Sequence, residues 1–249
     1  MVSDINFLLV GNSRLHWAKY SKNQSKFFHT NKEQKVPENV NLDQLIWASV
    51  GELPNFLLKK ENEIKTKDIQ LLNLPDYFGV DWALASIAAL KIIENPFKKD
   101  LLIADFGTIL SITKLNSNGS ILGGQLIPGF LTQLKSIEQN TKNLKIPKKY
   151  DIPIKDFLID TEEAILKGVI NSLTGVINRL FNPTKDILII CGGDSELLTK
   201  SLNIQTDNII NAPNLVMEGM IIHHLSLKNY FNPRSAIIWS AIIAAFTFK

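Results

Sequence analysis

Short apolar runs and helically spaced apolar residues alternate along this chain. The runs have the length of buried β-strands and lie at residues 6–10, 45–50, 101–104 and 186–190. Partner strands are predicted at residues 15–20, 109–115 and 121–122, with a further one around residues 27 and 28. Apolar residues three or four positions apart predict helices at residues 81–93, 130–139, 161–180 and 215–227, and a shorter helix near residue 195. Strands that alternate with helices predict an α/β fold.

One pattern occurs twice. A buried strand ends in a glycine turn and a second strand follows, first at Gly11-Asn12-Ser13 and again at Asp105-Phe106-Gly107-Thr108. Two copies of this pattern indicate a duplicated α/β domain. We predict one half over residues 1–98 and the other over residues 99–249.

The composition narrows the class of protein. Of 249 residues, 45% are hydrophobic and 20% are charged, which is ordinary for a globular chain and excludes a disordered one. The formal net charge of +3 is too weak to indicate nucleic-acid binding. The single cysteine, Cys191, excludes an internal disulfide and a cysteine-rich zinc site, and it fits a reducing, cytoplasmic compartment.

The ends of the chain predict no membrane contact. The N-terminus lacks the basic segment of a secretion signal. Residues 236–248 are almost wholly apolar, yet a membrane-spanning helix needs about 20 such residues. We therefore expect this tail to be a buried terminal element.

Three glycine turns follow predicted buried strands. The third, Cys191-Gly192-Gly193-Asp194, joins the two named above. Glycine lets a backbone approach phosphate groups, small hydroxyl side chains add donors, and α/β sheets bind ligands at the carboxyl ends of strands. Three such turns point to a nucleoside triphosphate. The chain has neither a G-x-G-x-x-G nor a G-x-x-x-x-G-K-[ST] pattern, which argues against Rossmann and Walker-type sites.

Two carboxylates stand out beside these turns. Asp105 lies at a strand end next to Gly107 and Thr108, where a metal ion or a phosphate group would bind. Asp81 opens a predicted helix after Gly79, and two interpretations stay open: a helix cap, which residue preference favours, and a catalytic base.

Other polar residues carry weaker signals. The histidines have no spacing typical of a zinc site. Arg14 and Lys142 follow polar turns, and each either meets an anion or is a solvated surface charge. Thr161 is predicted to cap the helix that it opens.

Taken in order, these segments resemble the type III pantothenate kinases, a family of the actin, hexokinase and sugar-kinase superfamily. The matching stretches are residues 11–17, 79–81, 105–108, 123–129, 139–141, 161–165, 191–194 and 215–219. The resemblance implies duplicated ribonuclease-H-like domains of the actin-like ATPase type, with mixed sheets flanked by helices. It also implies a homodimeric enzyme that transfers the γ-phosphoryl group of ATP to pantothenate, the first step of coenzyme A biosynthesis. Mg²⁺ and a monovalent cation, K⁺ or NH₄⁺, are implied as well.

The resemblance assigns roles to residues of this sequence. Asp81 would be the general base on the pantothenate hydroxyl group, and Asp105 would hold the metal ion. The residues implied to bind ATP are Gly11, Asn12 and Ser13 in the first turn, Gly107 and Thr108 in the second, and Gly192 and Gly193 near the adenosine. Those implied to border pantothenate, besides Asp81, are Tyr77, Gly79, Val80 and Thr141, the last from the partner subunit.

The family pattern is incomplete at four positions. An aspartate is expected at Leu9, a threonine at Ser13, a lysine at His16 and an arginine at Trp82. Leucine cannot hold Mg²⁺ or a water bound to it, and a neutral histidine neutralises less phosphate charge than lysine does. Tryptophan cannot form the paired hydrogen bonds that arginine offers a carboxylate.

These departures leave alternatives to an active kinase. The leading hypothesis is activity, because the two aspartates and most of the glycines are kept. The alternative is a non-catalytic or regulatory relative that retains the fold and the dimer. A small-molecule transcriptional regulator of this fold is a third class, against which the low net charge and the lack of a helix-turn-helix argue.

Overall fold

The computed structural model describes residues 4–38, 40–58, 61–93, 99–204 and 206–230, without the side chains of residues 228–230. These residues form two units. Unit 1 holds the described residues up to 93, residues 118–121 and residues from 214, whereas unit 2 holds residues 99–117 and 122–213. Residue 98, where the predicted boundary falls, lies outside the described residues. The last helix, which the prediction assigned to the second half, belongs to unit 1.

The sheet of unit 1 has four strands. They are β1 (Ile5–Val10), β2 (Arg14–Ser21), β3 (Gln24–Asn31) and β4 (Ile46–Ser49), in the spatial order β3-β2-β1-β4. The pairs β1–β2 and β2–β3 are antiparallel, and β1–β4 is parallel. One end of this sheet therefore holds the carboxyl ends of β1, β3 and β4 together with the start of β2.

The sheet of unit 2 repeats this order and adds a strand. Its strands are β5 (Asp100–Phe106), β6 (Ile109–Leu115), β7 (Ile121–Pro128), β8 (Asp186–Cys191) and β9 (Ile209–Asn211), in the order β7-β6-β5-β8-β9. Strand β5 is antiparallel to β6 and parallel to β8. The shared order confirms the duplicated ribonuclease-H-like fold.

Strand β9 has a rudimentary counterpart in unit 1. In unit 2 the backbone N–H of Leu188 donates to Asn208 O at 2.8 Å, next to the β8–β9 pairing. In unit 1 the N–H of Trp47 donates to Asn62 O at 3.1 Å, beside an isolated parallel bridge between Trp47 and Glu63. The sequence pattern predicted neither feature.

Five α-helices occur in the described residues. They are α1 (Val80–Ile92), α2 (Phe130–Asn140), α3 (Thr161–Leu180), α4 (Ser195–Thr199) and α5 (Leu215–Tyr230). The prediction that Thr161 caps α3 is wrong. The cap is Asp160, whose side chain accepts a hydrogen bond from the N–H of Glu163 at 3.0 Å, and Thr161 is the first helical residue.

Each unit has its own apolar core. In unit 1, residues of β1 and β2 pack with Leu45, Trp47 and Leu57. In unit 2, residues of β5, β6 and β8 pack against α2 and α3. Among the helices that the structure describes, none combines the length and apolar character needed to cross a membrane. The apolar tail from residue 236 lies outside the described residues.

A buried ion pair joins three neighbouring strands of unit 2. Lys114 Nζ on β6 lies 2.5 Å from Asp186 Oδ1 on β8 and 3.7 Å from Asp100 Oδ2 on β5. The Asp186 side chain is only 3% exposed, and its second oxygen accepts a hydrogen bond from Asn182 N at 2.9 Å. Removing Lys114 would leave the buried Asp186 carboxylate without its cation.

We expect Lys114→Met to lower the free energy of unfolding by about 3–5 kcal/mol, because the Asp186 carboxylate would remain buried without its cation. Urea unfolding followed by circular dichroism measures the change. Glu196→Ala is the control, since it breaks an exposed helical pair with Lys200, a type of pair worth about 0.3–0.5 kcal/mol. Equal losses in the two variants would contradict this account of the ion pair.

Candidate active site

The first glycine turn, turn 1 (Gly11-Asn12-Ser13), connects β1 to β2. The N–H of Gly11 donates to Arg14 O at 3.0 Å, and the side chains of Asn12 and Ser13 are exposed. Gly51, just after β4, lies against the turn, because a methyl group on it would collide with the Gly11 carbonyl oxygen. The residue that follows β4 therefore holds the backbone of turn 1 in place.

Strand register shows what replaces the expected aspartate in unit 1. Leu9 pairs with His16 across β1–β2, as Asp105 pairs with Ser111 across β5–β6. Leu9 thus occupies the position of unit 1 that Asp105 occupies in unit 2. It is buried, at 7% exposure, and offers no oxygen to a cation.

His16 is held against its neighbour on β3. Its Nδ1 lies 3.0 Å from Nδ1 of His29, in an edge-to-face ring contact. Burial, helped by the nearby His29 and Arg14, lowers the pKa of His16 to about 4. His16 is therefore neutral at neutral pH and supplies no charge where the family pattern has a lysine.

Asp81 lies in the first turn of α1 and does not cap it. The cap position belongs to Gly79, and Asp81 Oδ1 accepts a hydrogen bond from the N–H of Trp82 at 2.9 Å. A methyl group on Gly79 would lie 2.5 Å from Asp81 Oδ1, so a larger residue there would displace the carboxylate. Burial raises the pKa of Asp81, and the hydrogen bonds from the backbone offset part of that effect.

The residues around Asp81 are aromatic and apolar. The Trp82 ring makes an edge-to-face contact with Phe78 at a centroid distance of 4.5 Å, and α1 runs through Trp82 without interruption. Tryptophan therefore stands in the helix itself, one residue after Asp81. Val80 is buried, whereas the Tyr77 side chain is 90% exposed.

The second glycine turn, turn 2 (Gly107-Thr108), lies in unit 2 and is held by the start of α2. The N–H of Gly129 donates to Thr108 O at 2.9 Å, and the Thr132 hydroxyl group donates to the same oxygen at 2.6 Å. A methyl group on Gly129 would collide with the Gly107 carbonyl oxygen. No role was predicted for Gly129 from the sequence, although the Pro128-Gly129 pair before a predicted helix marks the position.

The third glycine turn contacts the second candidate carboxylate. Gly192 has φ +89°, and a methyl group on it would collide with Asp105 Oδ1 and lie 2.5 Å from Phe106 O. The N–H of Asp194 donates to Phe106 O at 3.0 Å. Asp105 and Gly192 are thus brought together in unit 2, at the carboxyl ends of the adjacent strands β5 and β8.

Two predicted site residues lie apart from these contacts. Thr141 ends α2, is exposed, and donates its hydroxyl group to Ile137 O at 2.8 Å. Gly193 is exposed and would accept a methyl group without a contact below 4 Å.

The donors available for a metal ion are few. In the part of the chain that the structure describes, no group of three or more histidine, cysteine, aspartate or glutamate side chains could hold one. Mg²⁺ in phosphoryl-transfer sites commonly uses one or two carboxylates, with waters and substrate phosphates completing its shell. The Asp105 carboxylate, held at the edge of the sheet against Gly192, fits that type of site.

The fold and the turns define the class of protein. Two ribonuclease-H-like sheets, each with a glycine turn after its first strand, are the architecture of the actin-like ATPases and sugar kinases. A solved structure from Campylobacter jejuni, described as a Baf family transcriptional activator, has the same fold. It matches with a TM-score of 0.65 and 19% identity, covering 90% of this chain and 100% of that chain.

Sequence comparison identifies the family within this class. The model of the type III pantothenate kinase family matches residues 52–183, more than half of the chain. The type III pantothenate kinase of Synechocystis sp. is 29% identical over 234 residues, which are 87% of this chain and 89% of that protein. That of Synechococcus elongatus is 28% identical over 240 residues, covering 86% and 93%. The chain belongs to the type III pantothenate kinase family.

We expect Asp81→Asn to raise the free energy of unfolding at neutral pH. Because the folded state raises the pKa of Asp81, ionisation of this carboxyl group costs stability, and the cost appears as pH rises through the folded-state value. Asparagine cannot ionise and can still accept the hydrogen bond from Trp82. Urea unfolding as a function of pH measures the difference between variant and wild type.

The difference should vanish below the ordinary aspartate pKa of 3.8, where both side chains are neutral. Asp207→Asn, at an exposed loop position, is the control and should show no such gain. A variant that is less stable than wild type at pH 7 would rule out burial as the dominant influence on Asp81.

Proposed function

We propose that this chain phosphorylates pantothenate with ATP to form 4'-phosphopantothenate, the first step of coenzyme A biosynthesis. Family membership supports the reaction, and the environment of Asp81 supports the mechanism. Asp81 is a buried carboxylate with a raised pKa, oriented by the amides of a helix start. A carboxylate in that state suits proton transfer better than capping.

Asp81 acts as the general base. It accepts the proton of the pantothenate hydroxyl group as that oxygen attacks the γ-phosphorus of ATP. The raised pKa brings the basicity of Asp81 closer to the working pH, and the Trp82 N–H fixes the orientation of its carboxylate. Tyr77, Gly79 and Val80 border the pantothenate in this proposal.

The glycine turns bind the nucleotide. Gly11, Asn12 and Ser13 receive phosphate groups on turn 1, and Gly107 and Thr108 on turn 2, while Gly192 and Gly193 border the adenosine. Phosphoryl transfer needs positioning and charge neutralisation more than covalent chemistry. Asp105 would hold Mg²⁺, which neutralises the developing phosphate charge, and a monovalent cation, K⁺ or NH₄⁺, completes the requirement. The reducing environment that the single thiol fits is the cytoplasm.

The test is ADP release from ATP, with and without pantothenate, in Mg²⁺ with K⁺ or NH₄⁺. Wild type should turn over only with pantothenate. Asp81→Asn should lower kcat by roughly 10²–10⁴-fold, the usual contribution of a general base. The kcat/KM of wild type should fall as pH falls through the raised pKa of Asp81, and the residual activity of Asp81→Asn should lack this fall.

Asp207→Asn again serves as the control and should keep the wild-type rate. A folded wild-type protein that releases no ADP with pantothenate in Na⁺, K⁺ or NH₄⁺ would favour the non-catalytic relative. If Asp81→Asn kept the wild-type kcat, Asp81 would not be the general base, but the proposed reaction would stand.

A homodimer is the second part of the proposal. The segment between α2 and α3 exposes three large apolar side chains, Ile154 at 97%, Phe157 at 94% and Ile159 at 105%. Clustered exposed apolar residues mark interaction surfaces. A second copy of the chain covers them, and its Thr141 borders the pantothenate of the first.

We expect the double variant Phe157→Asp, Ile159→Asp to be monomeric, because charged side chains would have to be buried at the interface. Sedimentation velocity measures the change against a dimeric wild type. The variant should also lose pantothenate-dependent turnover, since Thr141 would no longer reach the neighbouring site. An active wild-type monomer would refute this part of the proposal and leave the reaction itself untouched.

A further inference from the structure

Lys32 extends across the end of the unit 1 sheet. Lys32 follows β3, which is the outer strand on one side of the sheet. Its Nζ would nevertheless lie 3.1 Å from a methyl group placed on Gly51, which follows β4, the outer strand on the other side. That same methyl group would collide with the carbonyl oxygen of Gly11. The Lys32 ammonium group and the Gly11 carbonyl group of turn 1 therefore both lie beside Gly51.

The backbone of Lys32 is fixed at this end of the sheet. The N–H of Asn31 donates to Gln34 Oε1 at 3.0 Å, and the N–H of Gln34 donates to Asn31 O at 3.1 Å. Asn31 also pairs with Arg14, the first residue of β2 after turn 1. The short turn that carries Lys32 is thus tied to the strand that closes the glycine turn.

Lys32 has no carboxylate to neutralise it within the described residues, where none of the ion pairs involves it. Its side chain is nevertheless half-buried. An ammonium group partly removed from water is stabilised by an anion close to it. The position of Lys32 over a glycine turn suggests that a bound ligand supplies that anion.

The other basic groups near turn 1 serve this purpose less well. His16 is neutral at neutral pH, because burial and its neighbours lower its pKa to about 4. Arg14 is exposed to solvent, whereas Lys32 is half-buried. Lys32 is the lysine whose ammonium group lies beside Gly51, the residue that contacts Gly11.

We propose that Lys32 binds the phosphate groups of ATP at turn 1 and supplies the positive charge that residue 16 does not. This inference rests on the proposed function only for the identity of the anion. A lysine side chain acts as a point charge on a flexible stem, so its effect depends on where the ammonium group lies rather than on its position in sequence.

The experiment measures ATP affinity by calorimetry with Mg²⁺ and without pantothenate. Lys32→Met should weaken ATP binding by roughly ten- to a hundred-fold, the range for one charged hydrogen bond. Lys32→Arg should recover most of the affinity, because it restores the charge. Wild-type affinity should fall with added NaCl more steeply than that of Lys32→Met, since the variant has one fewer ion pair to screen.

Lys26→Met is the matched control, an exposed lysine on β3, the strand that precedes Lys32, opposite Lys19 and away from turn 1. It should bind ATP as wild type does. Lys32→Met with ATP affinity within twofold of the control would overturn the proposal, as would a larger loss in Arg14→Met than in Lys32→Met. ATP binding that depends on Lys32 in a protein without pantothenate-dependent turnover would uphold this inference and reject the proposed function.

Discussion

Close backbone contact at the glycine turns is the constraint on which the candidate site depends. Turn 1 meets Gly51, turn 2 meets Gly129, and the Asp105 carboxylate meets Gly192. In each contact the partner occupies the space where a side chain would begin, so a larger residue would push the turn away from its strand. Neighbouring elements therefore fix the amide groups of the turns before a ligand arrives. Binding then costs less ordering entropy than it would in a flexible loop.

The two halves of the duplicated fold have diverged within that shared frame. The register places Leu9 and Asp105 at the same position of their sheets. Unit 2 keeps a carboxylate there, whereas unit 1 has an apolar side chain paired with a neutral histidine. Unit 1 can still present backbone amides to phosphates, because the Gly11 turn and its contact with Gly51 do not require the aspartate. The candidate metal ligand is thus restricted to unit 2.

The sequence predicted the sheets better than the contacts of the site. The strand–turn–strand pattern is local, so its repetition was enough to indicate two sheets of one order. Strand β9, with three residues, is too short to show a period. The roles of Gly51 and Gly129 come from contacts between separate elements, which a single glycine does not reveal. The two interpretations of Asp81 both place it at a helix start, and only the bond to Trp82 and the cap at Gly79 separate them.

In the proposed function, Trp82 changes both the substrate pocket and the base beside it. An arginine at this position would offer a carboxylate of the substrate two hydrogen bonds, and its charge would lower the pKa of Asp81. The indole ring instead packs against Phe78 and, like Asp81, lies beside Gly79. An apolar neighbour leaves burial as the dominant influence on Asp81, which raises its pKa. In the proposed function, tryptophan in place of arginine would therefore weaken the ground-state binding of pantothenate and leave Asp81 a stronger base. The cost of this substitution should fall on KM more than on kcat, because the proton-transfer step keeps the group that performs it.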